Sequence, residues 1–187
     1  MQLRNRLTGK LIAMSALAAA AFALPATALA TTGGLTQHTR PHAAAAPCRF
    51  QQLKTWLGIG NGSTTSRTYR YPLEFTNVGR SACSLFGHPG VSGVINGHQV
   101  GGAAIRVGSK QLVILGRGQT GNAQLTFRIA GKVAGCHARS GARLKVFAPN
   151  LTGSTVINGF TFTACSNRTT LAVTSVHFGT GIPGFSS

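Results

Sequence analysis

The amino-acid sequence predicts an all-β protein, an immunoglobulin-like β-sandwich with two disulfides. Apolar and polar residues alternate with a period of two in many segments after residue 48, and no stretch of the chain has a convincing helical period. Many of the 25 glycines lie between these segments, where they are typical of tight turns. The same region holds four cysteines, an even number that suits disulfide bonds in an exported protein.

Residues 1–30 have the pattern of a secretory signal peptide. They begin with Arg4, Arg6 and Lys10, continue with an apolar run, and end with the small-residue cleavage site Ala28-Leu29-Ala30. The apolar run is shorter than the roughly 20 residues that a membrane-spanning helix needs. The sequence therefore predicts a secreted, extracellular or cell-wall-associated protein that starts at Thr31 and does not span a membrane after cleavage.

Residues 31–47 are predicted to form a flexible spacer that contains alanine, proline and histidine. They carry almost no large apolar side chain and so cannot form a core. His38 and His42 have the i, i+4 spacing of a helical metal site, but Pro41 between them disfavours a helix. Residues 48–187 are expected to form a single β-sandwich domain.

The alternation is clearest in residues 68–76. The odd-numbered positions from Tyr69 to Phe75 are apolar or aromatic, and most even-numbered positions are polar. Pro72 lacks an amide hydrogen, which predicts that this strand lies at a sheet edge or has a local irregularity. The same alternation predicts further strands in residues 53–59, 123–129, 144–146 and 160–164.

Asn96-Gly97 and Asn158-Gly159 each separate two strand-like segments and predict two-residue hairpins. Asn-Gly tolerates the positive φ angles that a type I′ turn requires. The glycine-rich segments 58–62 and 116–121 are also interpreted as hairpin turns, because neither has the Gly-Lys-Ser/Thr ending of a phosphate-binding loop. Together these signals indicate about eight to ten short strands.

Cys48, Cys83, Cys136 and Cys165 allow three pairings. Their spacings contain no Cys-x-x-Cys, the close pair that zinc ribbons and thioredoxin-like redox sites normally use. The pairing Cys48–Cys83 with Cys136–Cys165 closes the shortest total loops, and we predict it on that ground. Neither a metal nor a cofactor is expected.

Most hydrolytic chemistry lacks the side chains it needs, because Glu74 is the one acidic residue of the chain. A Ser-His-acid triad would have to use Glu74, which we expect to be a surface charge. Residues 135–139 superficially resemble the cysteine motif of peptidoglycan L,D-transpeptidases, but the serine of that motif is absent and Cys136 fits a disulfide. The chain is therefore predicted not to be an enzyme.

The histidines and aromatic residues of the domain show no clustering in sequence. We interpret His88, His98, His137 and His177 as neutral surface or turn residues. Trp56 and the ten phenylalanines are dispersed among the strands. They are interpreted as core or half-buried sheet residues rather than as a platform for stacking nucleic-acid bases.

The excess of positive charge is the strongest functional signal. The chain has 18 Lys+Arg against one Asp+Glu, a formal net charge of +17, and removal of residues 1–30 leaves +14. Such a surface attracts polyanions by steering and counterion release, and no nucleic-acid motif accompanies it. The candidate polyanion-binding residues are Arg67, Arg70, Arg80, Arg106, Lys110, Arg117, Arg128, Lys132, Arg139, Arg143 and Lys145.

Residues 71–91 resemble the hallmark segment of a known family. A strand ending in Phe75-Thr76-Asn77 leads to Cys83 and Leu85 and then to the turn Gly87-His88-Pro89-Gly90. Further matching landmarks are Cys48 with Gln52-Leu53, Leu115-Gly116-Arg117-Gly118, Cys136 with Leu144–Pro149, and Cys165 with Leu171–Val173. On these residues the chain is similar, over residues 48–178, to an actinobacterial exported family, domain of unknown function family 4232.

This resemblance implies a secreted or envelope-associated β-sandwich with two disulfides and no assigned catalytic residues. The chain departs from the family pattern at His88, where the family usually has Tyr, and in its high positive charge. We therefore predict a non-catalytic cell-envelope protein that binds anionic envelope polymers or other polyanions, without sequence-specific nucleic-acid binding. An extracellular adhesion or interaction module with a protein partner is the alternative, followed by a cysteine-dependent peptidoglycan enzyme.

Overall fold

The structure, a computed structural model, describes residues 45–62 and 67–181. The predicted signal peptide and most of the predicted spacer lie outside these residues. Two 3-10 helices, Phe50–Gln52 and Ala130–Lys132, are the only helices in the described ranges. No helix found there is long and apolar enough to cross a membrane.

All other regular structure in these ranges is β-strand, as the alternation of side chains predicts. The strands are β1 (Leu53–Leu57), β2 (Asn61–Gly62), β3 (Thr68–Asn77), β4 (Cys83–Phe86), β5 (Gly90–Ile95), β6 (His98–Val100), β7 (Ile105–Val107), β8 (Leu112–Leu115), β9 (Thr120–Arg128), β10 (Ala138–Phe147), β11 (Ser154–Val156), β12 (Phe162–Cys165), β13 (Leu171–Thr174) and β14 (His177–Phe178).

The strands form three sheets in a sandwich-like arrangement. The first sheet has the order β1-β3-β9-β13-β7, with β2 paired to β3 and β14 paired to β9. The second has the order β11-β10-β5-β6, with β12 paired to β10, and the third is the pair β4-β8. β13 and β7 pair in parallel, whereas the other pairs are antiparallel.

One hydrophobic core lies between the sheets. It takes Leu73 and Phe75 from β3, Leu144 and Val146 from β10, and Leu115 from β8, all of them buried. Core positions occur at every second residue along these strands, which is the period that a strand with one buried face requires. The predicted all-β sandwich architecture is therefore confirmed.

Pro72 lies inside the first sheet and not in an edge strand. Of the two predicted alternatives, the local irregularity of the strand is therefore the one observed. β3 is flanked by β9 on one side and by β1 and β2 on the other. On the second side, pairing stops at Leu57 and resumes at Asn61, and the Pro72 carbonyl accepts a hydrogen bond from Gly58 N at 2.8 Å. The nitrogen and carbonyl of one strand residue point to the same edge, so the missing amide hydrogen of Pro72 falls in this gap.

The first predicted hairpin, at Asn96-Gly97, is confirmed. β5 and β6 are antiparallel neighbours, and Ile95 pairs with His98 across the turn. Asn96 and Gly97 have φ angles of 50° and 82°. Two successive positive values are what a type I′ turn needs.

The second predicted hairpin, at Asn158-Gly159, is wrong. β11 and β12 both pair with β10 rather than with each other. Between them, Ile157 N donates to Leu144 O at 2.8 Å, which keeps the chain on the same edge of β10. Of the pair only Gly159 has a positive φ, 74°, so a type I′ turn does not form. β11 and β12 are thus one edge strand with a break at residues 157–161.

The two glycine-rich segments are not hairpin turns in the described residues either. Residues 58–60 separate β1 from β2, and both of these strands pair with β3. A side chain at Gly60 would overlap the ring of Tyr71, which explains the glycine there. Residues 116–119 carry the chain from β8 in the third sheet to β9 in the first. Glycine content marks where the chain bends but not which strands become neighbours.

Both predicted disulfides are confirmed. Cys48 bonds to Cys83 with Cα atoms 4.7 Å apart, and Cys136 bonds to Cys165 with Cα atoms 5.2 Å apart. The first bridge belongs to the hydrophobic core. The chain already pairs with β4 before Cys48, since the carbonyl of Ala46 accepts a hydrogen bond from Ser84 N at 2.8 Å.

Candidate functional site

Glu74, the one acidic residue, is buried, and its predicted role as a surface charge is wrong. Its exposed fraction is 2%, and its Oε1 accepts a hydrogen bond from Gly181 N at 2.9 Å. The side chain leaves β3 on the face opposite the core, but the segment after β14 covers that face. Burial removes the only carboxylate side chain from the surface, so it does not neutralise the exposed cations.

The candidate cations are spread over the outer surface. All eleven lie in the described residues; Lys145 is half-buried and the other ten are exposed. On the first sheet, Arg70 and Arg128 share an outward face, because Arg70 pairs with Thr126 and Arg128 with Thr68. On the second sheet, Arg143 and Lys145 are two residues apart on β10 and also share a face.

Two of the candidate cations, Arg106 and Lys110, meet in a cleft of about 520 Å³. The cleft lies beside the turn that joins β4 to β5. Three segments form its walls: the β4–β5 turn, the β7–β8 region, and the loop after β10. The lining residues are Phe86, Gly87, His88, Gly90, Arg106, Lys110, Phe147, Ala148, Asn150, Leu151 and Thr152.

The turn at the cleft is held on both sides by backbone hydrogen bonds. Gly87 has a φ of 88°, a value that suits glycine. Its N–H donates to Gln111 O at 2.9 Å, and its carbonyl accepts from Val176 N at 2.9 Å. These bonds fix the turn against β8 and against the segment between β13 and β14.

His88 connects this turn to the strand that carries Arg106. Its Nε2 lies 3.0 Å from Val107 O, and the imidazole is half-buried. Arg106 and Val107 belong to β7, which pairs with β13 along only one of its edges. His88 therefore lies in a turn, as predicted, and its ring contacts the strand from which the Arg106 side chain extends.

The lining of the cleft is chemically suited to an anionic group. The Lys110 ammonium lies 6.0 Å from the centroid of the Phe86 ring, a distance at which a cation–π attraction begins to act. Asn150 and Thr152 add an amide and a hydroxyl, and no acidic residue lines the cleft. An anion there would meet two cations and neutral hydrogen-bond donors.

The residues considered for catalysis, Cys136 and His137, do not line the cleft. Cys136 is bonded to Cys165, so its sulfur is not a free thiol in this structure. His137 lies next to it, and the backbone N–H of His137 donates to Asn167 Oδ1 at 2.9 Å. Within residues 45–62 and 67–181, no group of three or more His, Cys, Asp or Glu side chains could hold a metal ion.

Several aromatic residues are more exposed than the sequence predicts. Trp56 is 39% exposed, and Phe50, Phe86 and Phe178 are 40%, 47% and 61% exposed. The prediction of core or half-buried positions is wrong for these four: Phe50 lies in the first 3-10 helix, and the other three lie on outward faces or at the ends of strands. Phe86 is also a lining residue of the cleft that the sequence analysis missed, together with Asn150 and Thr152. The hallmark turn next to Phe86 was the sequence signal that could have pointed to these lining residues.

Comparison with known families gives a match over residues 48–177 to the family described as "Domain of unknown function (DUF4232)". The match covers more than half of the chain and includes all four cysteines, the turn at the cleft and both of its cations. The chain belongs to this family. A search of curated proteins finds no match.

Proposed function

We propose that this DUF4232 domain is a secreted, non-catalytic protein of the cell envelope that binds anionic polymers electrostatically. One observation carries the proposal. Ten of the eleven candidate cations are exposed, whereas the single acidic residue, Glu74, is buried. The described surface therefore attracts anions without a competing carboxylate side chain.

The physical basis is the release of counterions from a polymer of closely spaced negative charges. Each phosphate that a lysine or arginine neutralises frees condensed cations, which makes binding favourable at low salt and weaker as salt rises. Because cations lie on both large sheets, a long polymer can contact more than one face. This distribution supports binding of extended polyanions with little sequence or shape selectivity.

The cleft supplies the most selective contact in this proposal. Arg106 and Lys110 line the same concave surface, so one phosphate or sulfate group there would contact both cations. The outward strand faces offer cations without such a concave wall. We therefore expect the cleft to contribute more to affinity than an equal number of cations on β10.

An exported location is part of the proposal. Two disulfides support it, because disulfides persist in oxidising compartments outside the cytoplasm. The sequence pattern of residues 1–30 supports it as well. The natural setting would then contain the phosphate-rich and acidic polymers of a cell wall.

The test compares two double variants that remove the same charge. Protein recovered from the culture medium, with an intact mass that begins at Thr31, is titrated with labelled polyphosphate, and dextran serves as the neutral polymer. We expect Arg106→Gln with Lys110→Gln to weaken binding more than Arg139→Gln with Arg143→Gln. The slope of log K against log salt should fall by roughly 2 in the cleft variant.

Two results would contradict the proposal, and a third would contradict the special role of the cleft. Wild-type protein that fails to bind polyphosphate at low salt, or that binds dextran equally well, has no electrostatic preference for polyanions. Equal losses in the two double variants would remove the special role of the cleft and leave only the general one. Thermal unfolding of each variant checks that the fold is retained.

A further inference from the structure

The pair β4–β8 has apolar side chains on both of its faces. Leu85 and Val113 point into the core and are buried. On the other face, Phe86, Leu112 and Ile114 are 47%, 62% and 51% exposed. Phe86 lies directly opposite Leu112 in the register of the two strands, and Leu112 and Ile114 are two residues apart. We call these three side chains the apolar face.

Such a face is unusual for a sheet that meets water on one side. Antiparallel strands with one solvated face normally alternate apolar with polar residues, and continuous apolar runs are typical of strands buried on both faces. β8 reads Leu112-Val113-Ile114-Leu115, a continuous apolar run. The outward residues of this run, Leu112 and Ile114, are more than half exposed in the described part of the chain, which marks the apolar face as an interaction surface.

Cations border the apolar face. Lys110, two residues before β8, lies with its Nζ 6.0 Å from the Phe86 ring centroid. Arg106 lines the same cleft as Phe86 and Lys110, and exposed Arg117 lies two residues beyond the end of β8. The only acidic residue, Glu74, is buried on another sheet. The partner that complements this surface is apolar at its centre and negatively charged around it.

We propose that the apolar face docks onto a bilayer that contains anionic lipids. Phe86, Leu112 and Ile114 would enter the boundary between headgroups and acyl chains, while Lys110, Arg106 and Arg117 would contact lipid phosphates. Burial of apolar side chains and attraction to anionic lipids together give reversible interfacial binding, since each alone is weak. This binding is peripheral and goes beyond the proposed binding of soluble polymers.

The small size of the face favours a lipid surface over a folded protein partner. A stable protein interface buries about 800 Å² on each partner. Two paired strands of four residues are about 13 Å long and lie about 5 Å apart, so they present only a small part of such an area. A bilayer requires no complementary shape, and it supplies both the apolar layer and the phosphates at adjacent depths.

The experiment measures sedimentation of the purified, disulfide-bonded protein with vesicles. One set contains phosphatidylglycerol and phosphatidylcholine, and the other contains phosphatidylcholine alone. The test variant is Leu112→Thr with Ile114→Thr. The matched control is Ile59→Thr with Val78→Thr, which changes two exposed aliphatic side chains outside the apolar face. Threonine is β-branched and keeps the strand preference.

We expect wild-type protein to sediment with the anionic vesicles and not with the neutral ones. The apolar-face variant should bind the anionic vesicles roughly fivefold to tenfold more weakly, because about two aliphatic side chains no longer partition. The control variant should bind like wild type. Binding to polyphosphate should be unchanged in both variants, so failure of this inference is separable from failure of the proposed function.

Three outcomes would overturn the inference. The first is no binding of wild-type protein to anionic vesicles at low salt. The second is an equal loss in the test and control variants, which would mean that the apolar face has no special role. The third is self-association of wild-type protein that disappears in the test variant while vesicle binding persists, because the face would then cover a second copy of the chain.

Discussion

At the scale of single residues, the most informative position is Glu74. Its Oε2 and the Oδ1 of Asn122 are both buried without a hydrogen-bond partner. The two residues are direct neighbours in the register of β3 and β9. The other polar atom of each side chain bonds to residues 179–181. Glu74 Oε1 accepts a hydrogen bond from Gly181 N, and Asn122 Nδ2 donates one to Gly179 O. Two buried oxygen acceptors therefore lie on directly paired residues, and neither has a donor.

This arrangement predicts that Glu74→Gln stabilises the protein. The amide oxygen can keep the bond from Gly181 N, and the new NH2 group can donate to Asn122 Oδ1. We expect the free energy of unfolding to rise by about 1 kcal/mol, since a buried acceptor gains a hydrogen-bond partner. Urea unfolding at pH 7 measures it. Glu74→Ala is the comparison and should lower stability, because Gly181 N loses its acceptor and Asn122 Oδ1 still has no donor.

The error made at Glu74 shows a limit of sequence reasoning at this scale. Alternation along residues 68–76 places Glu74 on the opposite face from Phe75, which is correct. The inference that this opposite face meets solvent fails, because residues 179–181 return to cover it. That contact joins positions 107 residues apart and has no local signal in the sequence. The contact of His88 with Val107 O likewise depends on the tertiary structure and has no local signal in the sequence.

At the scale of secondary-structure elements, the recurring feature is the interrupted strand. β1 and β2 share β3, β11 and β12 share β10, and β13 and β14 share β9 as partners. In the third case Thr174 Oγ1 accepts a hydrogen bond from Gln124 N at 2.9 Å, close to the interruption. The alternation predicted where strands lie, but it did not predict these interruptions or which strand each segment pairs with. Asn-Gly correctly predicted one hairpin and incorrectly predicted another, because strand pairing is a tertiary property.

The two disulfides are expected to differ in how much they contribute to the stability of the protein. Their sequence separations are similar, 35 and 29 residues. Loss of either bridge should therefore lower the free energy of unfolding by a similar amount, about 4 kcal/mol, because the unfolded chain gains conformational entropy. Cys48 and Cys83 also belong to the main hydrophobic cluster, whereas Cys165 is buried and Cys136 half-buried outside that cluster. We therefore expect Cys48→Ala with Cys83→Ala to lower stability more than Cys136→Ala with Cys165→Ala.

Urea unfolding of the two double variants measures this difference directly. The extra loss for the first pair should be about 1–2 kcal/mol, because small residues leave space in a packed core. An equal loss, or a larger loss for the second pair, would contradict the assignment of the first bridge to the core. The pairing itself was predictable from the lengths of the closed loops, but the position of only the first bridge in the main hydrophobic cluster was not.

At the scale of the whole molecule, the net charge and the fold follow from different features of the sequence. The sandwich architecture needs only the alternating apolar positions and the two bridges, and it places the cations outward by default. Net charge was readable from composition, since the chain has 18 Lys+Arg and one Asp+Glu. Which cations share a cleft depends on three segments that are distant in sequence, around residues 88, 106 and 150. The cleft therefore became visible only in the folded protein.

Co-sedimentation of the wild-type protein with isolated bacterial cell wall tests the proposed electrostatic attachment to anionic polymers. Wall with its anionic polymers is compared with wall from which they have been chemically removed, over a salt series that starts at about 50 mM. We expect binding that requires the polymers and a linear fall of log K with log salt. Equal binding to both walls, or binding that does not change with salt, would contradict electrostatic attachment to anionic polymers.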